Sequence, residues 1–468
     1  MQAEYNRCAI GNPGNQGMSN NHRAAEMQLH LHSQTNPRLH ETEGPLMVVE
    51  GRGATVVDDS GRRYIEGMSG LWCASLGFSN ERLANAAYNQ MRTLGAYHTA
   101  NHRSNEPVAE LLRLIEEISP IPSCKIYLTS TGSEATDSMV KLAWYYNFAR
   151  GKPEKRKIVS RQSAYHGSTV MAAALCGLPN MHRAFNLPTG DILYARRPHH
   201  FREAEPGESM ASFGARLAHE LEAMILAEGA DNIAAMIAEP VMGAGGVFIP
   251  PENYFPLIQE VLARHDILLL ADEIICGFGR TGNWFGSETF KIKPDMVSIA
   301  KGLSAGHMPI AGVIMSDRIY QAVADQAASI GVFGHGFTYS GHPVTSAVAV
   351  EAIRIYQEID IVGLARSAGS HLLASLRRRF SDHEFVGDIR GVGLLGGIEI
   401  VADRKDNIPF APEERIGAKI EMACRRRGAL VRNMGDTIAF CPPFQISEAE
   451  TDQLVEIVHH ALEDVLGR

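Results

Sequence analysis

Asp266-Ile-Leu-Leu-Leu-Ala-Asp-Glu-Ile-Ile-Cys-Gly-Phe-Gly-Arg-Thr-Gly282 begins with a short, almost wholly apolar run that places a carboxylate, Asp272, at its C-terminal end. Such a run suits a strand buried on both faces. A second short strand, Asp295-Met-Val-Ser-Ile-Ala300, delivers Lys301 at its own C-terminal end. In an open parallel sheet, that edge is where ligands bind. A buried acid beside a buried amine suits a cofactor with a basic ring nitrogen and an aldehyde, which describes pyridoxal phosphate.

Outward from this stretch, strands and helices alternate. Strands are expected at 125–128, 157–160, 233–238, 267–271, 295–300 and 311–315, with helices at 133–149, 214–227 and 254–264. That order implies a mostly parallel sheet covered by helices. Upstream, short strands are expected between 46 and 66, then amphipathic helices at 81–94 and 106–118. After about Pro343, two long helices, strand-like segments near 393–401, 429–432 and 437–440, and a closing helix at 448–466 suggest a second, α+β domain. Gly391-Val-Gly-Leu-Leu-Gly396 matches the dinucleotide pattern G-x-G-x-x-G. A strand follows it where a helix is required, so NAD and FAD are rejected.

A length of 468 residues exceeds one ordinary core. Hydrophobic content of 45% with 21% charged residues is that of a soluble globular protein. A formal net charge of -9 argues against nucleic acid or an anionic membrane as partner. The seven cysteines lack Cys-x-x-Cys pairs, which gives neither a disulfide framework nor a cysteine zinc site and fits a reducing cytoplasm. No apolar run approaches the length of a membrane span. The polar first residues lack a signal-peptide core, and a mobile tail is expected over residues 1–25.

Gly70-Leu-Trp-Cys73, Ala271–Gly282 and His335-Gly-Phe-Thr-Tyr-Ser-Gly-His-Pro343 together resemble the class III, or omega, aminotransferases of fold type I, nearest the amine:pyruvate branch. The resemblance runs from about Gly44 to the C-terminal helix. It implies a large cofactor domain over residues 76–342, and a smaller α+β domain built from residues 26–75 and 343–468. It implies a homodimer with shared active sites, or a pair of such dimers.

By the same resemblance Lys301 is the Schiff-base lysine and proton shuttle, and Asp272 pairs with the pyridine nitrogen. Lysine suits the first role because its pKa falls readily on desolvation. Ile274 lies on one ring face and Tyr165 stacks on the other, with Glu239 near the ring. Gly132 and Ser133, at a helix start, hold the phosphate, and Thr338 completes that cradle from the neighbouring subunit. Trp72 and Tyr165 wall the substrate pocket, and Arg432 grips a substrate carboxylate through its guanidinium fork. Met242 replaces a glutamine common in relatives, while Ala100 and Asn101 stand where aromatic residues are frequent, which leaves pocket polarity and size open. No metal is implied.

The expected activity passes an amino group from an amine or omega-amino acid to a keto acid, pyruvate foremost, by a ping-pong route. A decarboxylating transaminase or an aminomutase on the same scaffold is the first alternative. A non-catalytic cofactor-binding protein is the second.

Overall fold

The computed structural model describes residues 13–467. Residues 1–12, where the expected tail begins, lie outside the described residues. From Pro13 to Leu29 the chain is helical, so the tail expected as far as residue 25 gives way to structure earlier. Composition had suggested otherwise, but tertiary contacts anchor this helix. Arg23 reaches the Asp59 carboxylate at 2.7 Å and the Pro45 carbonyl at 3.0 Å.

Seven strands form the principal sheet, in the spatial order Lys125–Thr129, Ala311–Met315, Met296–Ile299, Leu268–Asp272, Ile233–Ala238, Lys157–Arg161 and Ile192–Ala195. Only Ala311–Met315 runs antiparallel to its neighbours. Every residue of the Ile233–Ala238, Leu268–Asp272 and Met296–Ile299 strands is buried, as expected where helices cover both faces. The Gly132–Ala149 helix packs on one face, and the Met210–Glu228 and Tyr254–Arg264 helices share the apolar cluster on the other. Six strand ends therefore meet along one edge.

Two elements here go beyond the expected set. Ile192–Ala195 is a four-residue edge strand hidden in what reads as a long connection. The Asp317–Ile330 helix, which buries Ile319 and Val323, is amphipathic and was readable but not assigned.

Both chain ends build the second region. Val48–Arg52, Thr55–Asp58 and Arg63–Glu66 form an antiparallel meander, and Ala429–Leu430 joins it in parallel, Ala429 opposite Ile65. A second antiparallel sheet runs Val386–Val392, Leu395–Ile400, Thr437–Phe440, Arg432–Met434. Its first two strands contain the glycine pattern considered for dinucleotides, which is thus a β-hairpin. Gly393 makes the turn at φ +52°. Its carbonyl presses against Gly369 of the Ile361–Phe380 helix, where an added Cβ meets that oxygen at 1.8 Å and its carbon at 2.4 Å.

Because both opposing atoms are backbone, Gly369→Ala forces helix and hairpin apart. It is expected to cost about 3 kcal/mol of stability, seen as lower thermal and urea midpoints. Exposed Ser370→Ala, the next residue, should shift neither.

Candidate active site

A cavity of about 460 Å³ opens at the C-terminal edge of the large sheet. Asp272, the last residue of its strand, lies opposite Ser298 in register. Ser298 Oγ donates to Asp272 Oδ1 at 3.0 Å, the Ile274 amide donates to the same oxygen at 3.2 Å, and His166 Nδ1 meets Oδ2 at 2.7 Å. The carboxylate is 3% exposed and fixed from three directions. With Nδ1 committed to Asp272, His166 Nε2 is left buried without a partner.

Lys301 follows the next strand and takes a left-handed conformation, φ +39°. Such backbone in a non-glycine residue costs on the order of 1–2 kcal/mol. Surrounding bonds hold it. Gly306 N donates to the Lys301 carbonyl at 3.1 Å, and the Tyr356 hydroxyl donates to Gly302 O at 2.6 Å. Desolvation lowers the pKa of the Lys301 amine, and the charge of Asp272 opposes that shift. The amine lines the cavity and, among the described residues, forms no ion pair with Asp272.

At the cavity's other side stands the start of the Gly132–Ala149 helix. Thr131 Oγ1 accepts from the Glu134 amide, and the Glu134 carboxylate accepts from the Ser130 and Thr131 amides at 2.8 and 3.1 Å. The amides of Gly132 and Ser133 have no carbonyl four residues back within the helix. Ser133 Oγ accepts from Ser168 N at 2.9 Å, so its own hydrogen is free to donate elsewhere. These donors and the helix dipole make an anion site. Gly132 is tightly packed, since a Cβ there would meet Ile274 Cδ1 at 2.8 Å.

Seven expected residues share this one cavity: Gly132, Ser133, Tyr165, Glu239, Asp272, Ile274 and Lys301. Three do not line it. Trp72 is 4% exposed within the Met68 and Val159 apolar cluster, and of its turn Cys73 reaches the cavity instead. The Trp72 backbone takes a positive φ of +65°. Thr338 is exposed in a segment whose His335 stacks on Tyr127. Arg432 begins an edge strand outside the cavity, with Nη2 2.9 Å from Gln34 Oε1. Met242 is fully buried against Ala164 and Phe248, so its side chain packs in an apolar cluster. Ala100 and Asn101 are exposed and away from the cavity wall.

Sequence reasoning left two residues without roles. His166 could have been found, since it follows Tyr165 and precedes a glycine at a strand-end loop. Gln34 could not, because it lies in a polar segment with no motif. Its amide donates to Tyr165 Oη at 3.3 Å while its carbonyl accepts from Arg432.

The Aminotransferase class-III family model matches residues 38–462. The chain belongs to the class-III aminotransferases. It is 45% identical to a vanillin aminotransferase of Capsicum frutescens, covering 91% of this chain and 92% of that one. It is likewise 45% identical to gamma aminobutyrate transaminase 3, chloroplastic, of Solanum lycopersicum, over 91% and 82% of the two chains. Among solved structures, the omega transaminase from Pseudomonas jessenii in complex with PMP superposes with a TM-score of 0.93, at 46% identity, covering 95% of this chain and 98% of that one. The fold is therefore that of the fold type I pyridoxal phosphate transferases, and pyridoxal phosphate is this aminotransferase's cofactor. The donor set fits it: an anion site at a helix start, a fixed buried carboxylate, and a desolvated amine between apolar walls.

Glu239 closes the cavity floor. Its carboxylate accepts from Tyr165 N and Gly243 N, both at 3.2 Å. Burial pushes its pKa to about 7, as it does for Glu66 and Glu273. An acid whose pKa is higher folded than unfolded destabilises the fold above its folded pKa, and the penalty lifts as pH falls through 7 towards 4.5. The cofactor-free aminotransferase should thus show a higher denaturation midpoint at pH 6 than at pH 8. Glu239→Gln should narrow that difference, and an unchanged or reversed difference would contradict the assignment.

Proposed function

We propose that this aminotransferase takes the amino group from a primary amine or omega-amino acid and gives it to a keto acid, with pyruvate as acceptor, by a ping-pong route. One observation carries the reading: Lys301, Asp272 and the helix-start anion site face a single cavity, so donor and acceptor must use it in turn. Pyridoxal phosphate, when bound, supplies an aldehyde carbon to take the substrate nitrogen and a ring that withdraws electrons from the substrate carbon.

The protein's own groups do the rest. Lys301 would hold the cofactor, and its amine, whose pKa burial lowers, is suited to accept and return a proton at Nζ. Asp272, pinned by His166, Ser298 and the Ile274 amide, presents a fixed negative charge to the ring nitrogen. Gly132 and Ser133 would bind the phosphate, while Tyr165 and Ile274 would flank the ring and exclude water. Arg432 meets the substrate carboxylate after leaving Gln34. Amines without a carboxylate leave that bond in place. The relatives named as omega transaminases and as gamma aminobutyrate transaminases support both donor types.

The Thr338 segment, exposed and outside its own cavity, serves the site of a second copy in a homodimer. The six described cysteines are free, which supports a reducing compartment such as the cytoplasm. No described helix is long and apolar enough to cross a membrane.

Half-reactions test the scheme: the pyridoxal form titrated with amines, then the pyridoxamine form with keto acids. Lys301→Ala should slow the first at least about 100-fold while the cofactor stays bound. Arg432→Ala should raise KM for pyruvate about tenfold to hundredfold and leave simple amines nearly unaffected. Carbon dioxide release, or an isomerised product with no keto acid required, would replace this reading. Absence of turnover over a broad amine panel would leave only cofactor binding.

A further inference from the structure

The N-terminal segment that carries Gln34 also gathers three histidines around one carboxylate. Glu26 lies near the end of the Pro13–Leu29 helix, with His30 one turn on. His32 follows in the loop, and His40 sits on the Pro37–Glu43 helix. Glu26 Oε1 is 2.7 Å from His30 Nδ1 and is approached more closely still by His32 Nε2. Glu26 Oε2 is 3.3 Å from His40 Nε2. The rings nest, with centroids 4.5 Å apart for His30 and His32 and 4.0 Å for His32 and His40. One ligand atom each from Glu26, His32 and His40 falls within 4.8 Å of the others.

The geometry points to a divalent transition-metal site of zinc type, with Glu26, His32 and His40 as its ligands. Two imidazoles and a carboxylate are a familiar zinc donor set. Tetrahedral zinc with ligands at about 2.0–2.1 Å separates its donors by about 3.4 Å. Glu26 Oε2 and His40 Nε2 already stand 3.3 Å apart, while His32 Nε2, hydrogen-bonded closely to Oε1, must move outward to admit the ion. His30 bonds the same carboxylate and orients it, as outer partners of metal ligands do. Glu26 and His32 are roughly a quarter exposed while His40 is buried, so an ion enters from solvent and keeps an open position for water.

Two other groups have suitable atoms but different surroundings. In His199, Asp388 and Glu399, Arg390 bonds both carboxylates and Arg202 bonds Glu399. Those cations already supply the positive charge. His459, His460 and Glu463 all come from one helix, so an ion there ties no separate parts of the chain. The Glu26 site instead clasps a helix, a loop and a second helix. Gln34 lies within that clasp, between His32 and His40, and reaches Tyr165 and Arg432. Metal binding therefore steadies the loop that carries Gln34, whose partners are Tyr165 and Arg432, and the inference does not rest on the proposed substrates.

Tag-free, cofactor-loaded protein is stripped with a chelator and titrated with Zn2+, and separately with Co2+ as a visible probe. One ion should bind per chain, with the intense Co2+ absorption of a four-coordinate site. His32→Ala, His40→Ala and Glu26→Gln should each weaken binding more than 100-fold, and His30→Ala about tenfold. His460→Ala should change nothing. Zinc should raise the melting temperature of the wild type and not that of His32→Ala, whose retained cofactor absorbance reports its folding. Absence of saturable Zn2+ binding by the wild type, or undiminished binding in both His32→Ala and His40→Ala, overturns the site.

Discussion

Opposite charges kept apart are what this active site depends on. A free ammonium and carboxylate 4 Å apart attract by about 4 kcal/mol at an effective dielectric of 20, and direct pairing would fill the space a cofactor needs. The protein prevents it by occupying Asp272 from elsewhere. Ser298 from the adjacent strand, the Ile274 amide and His166 take its oxygens. Lys301 is held in its strained conformation by a turn bonded to Tyr356 and Gly306. Each charge reaches the cavity without reaching the other.

The electrostatics around this pair follow from the same burial. Glu239 and Glu273 flank Asp272 and are raised to about 7, chiefly by desolvation, with the negative charge at Asp272 adding to both shifts. Three adjacent buried acids do not all ionise at neutral pH without cost. Arg161 contributes positive charge below them, donating to the Glu239 carbonyl at 2.6 Å. Glu239 and Glu273 are thus biased by burial towards their neutral forms.

The parts of this arrangement legible in the sequence are those set by local pattern. Buried strands such as Ile233–Ala238 are continuous apolar runs, and their functional residues sit one or two positions past the run, as Asp272 and Lys301 do. The Thr131–Glu134 capping box is readable as a helix start. Trp72 shows the limit: a motif places the residue near the cavity, but its ring packs in the apolar core. The Ile192–Ala195 edge strand was obscured because four residues are too few to print a period, whereas the amphipathic Asp317–Ile330 helix carried a readable pattern. Gln34 depends on pairing across 398 positions with Arg432, which no local pattern encodes.

That distant bond also bears on how one pocket would serve the two kinds of substrate proposed for it. A permanent arginine in a water-excluded site would penalise any amine lacking a carboxylate, since its charge would stay unpaired. Gln34 offers a neutral acceptor that the guanidinium can keep or abandon. Its other end is bonded to Tyr165, a residue of the cavity wall. A hydrogen bond to a charged group contributes only about 1.5–3 kcal/mol, whereas a bidentate carboxylate makes two such bonds. Under the function proposed above, a carboxylate substrate would displace Gln34 and a simple amine would not. The proposed acceptance of both donor types would then need no second pocket, only a side chain weak enough to be exchanged.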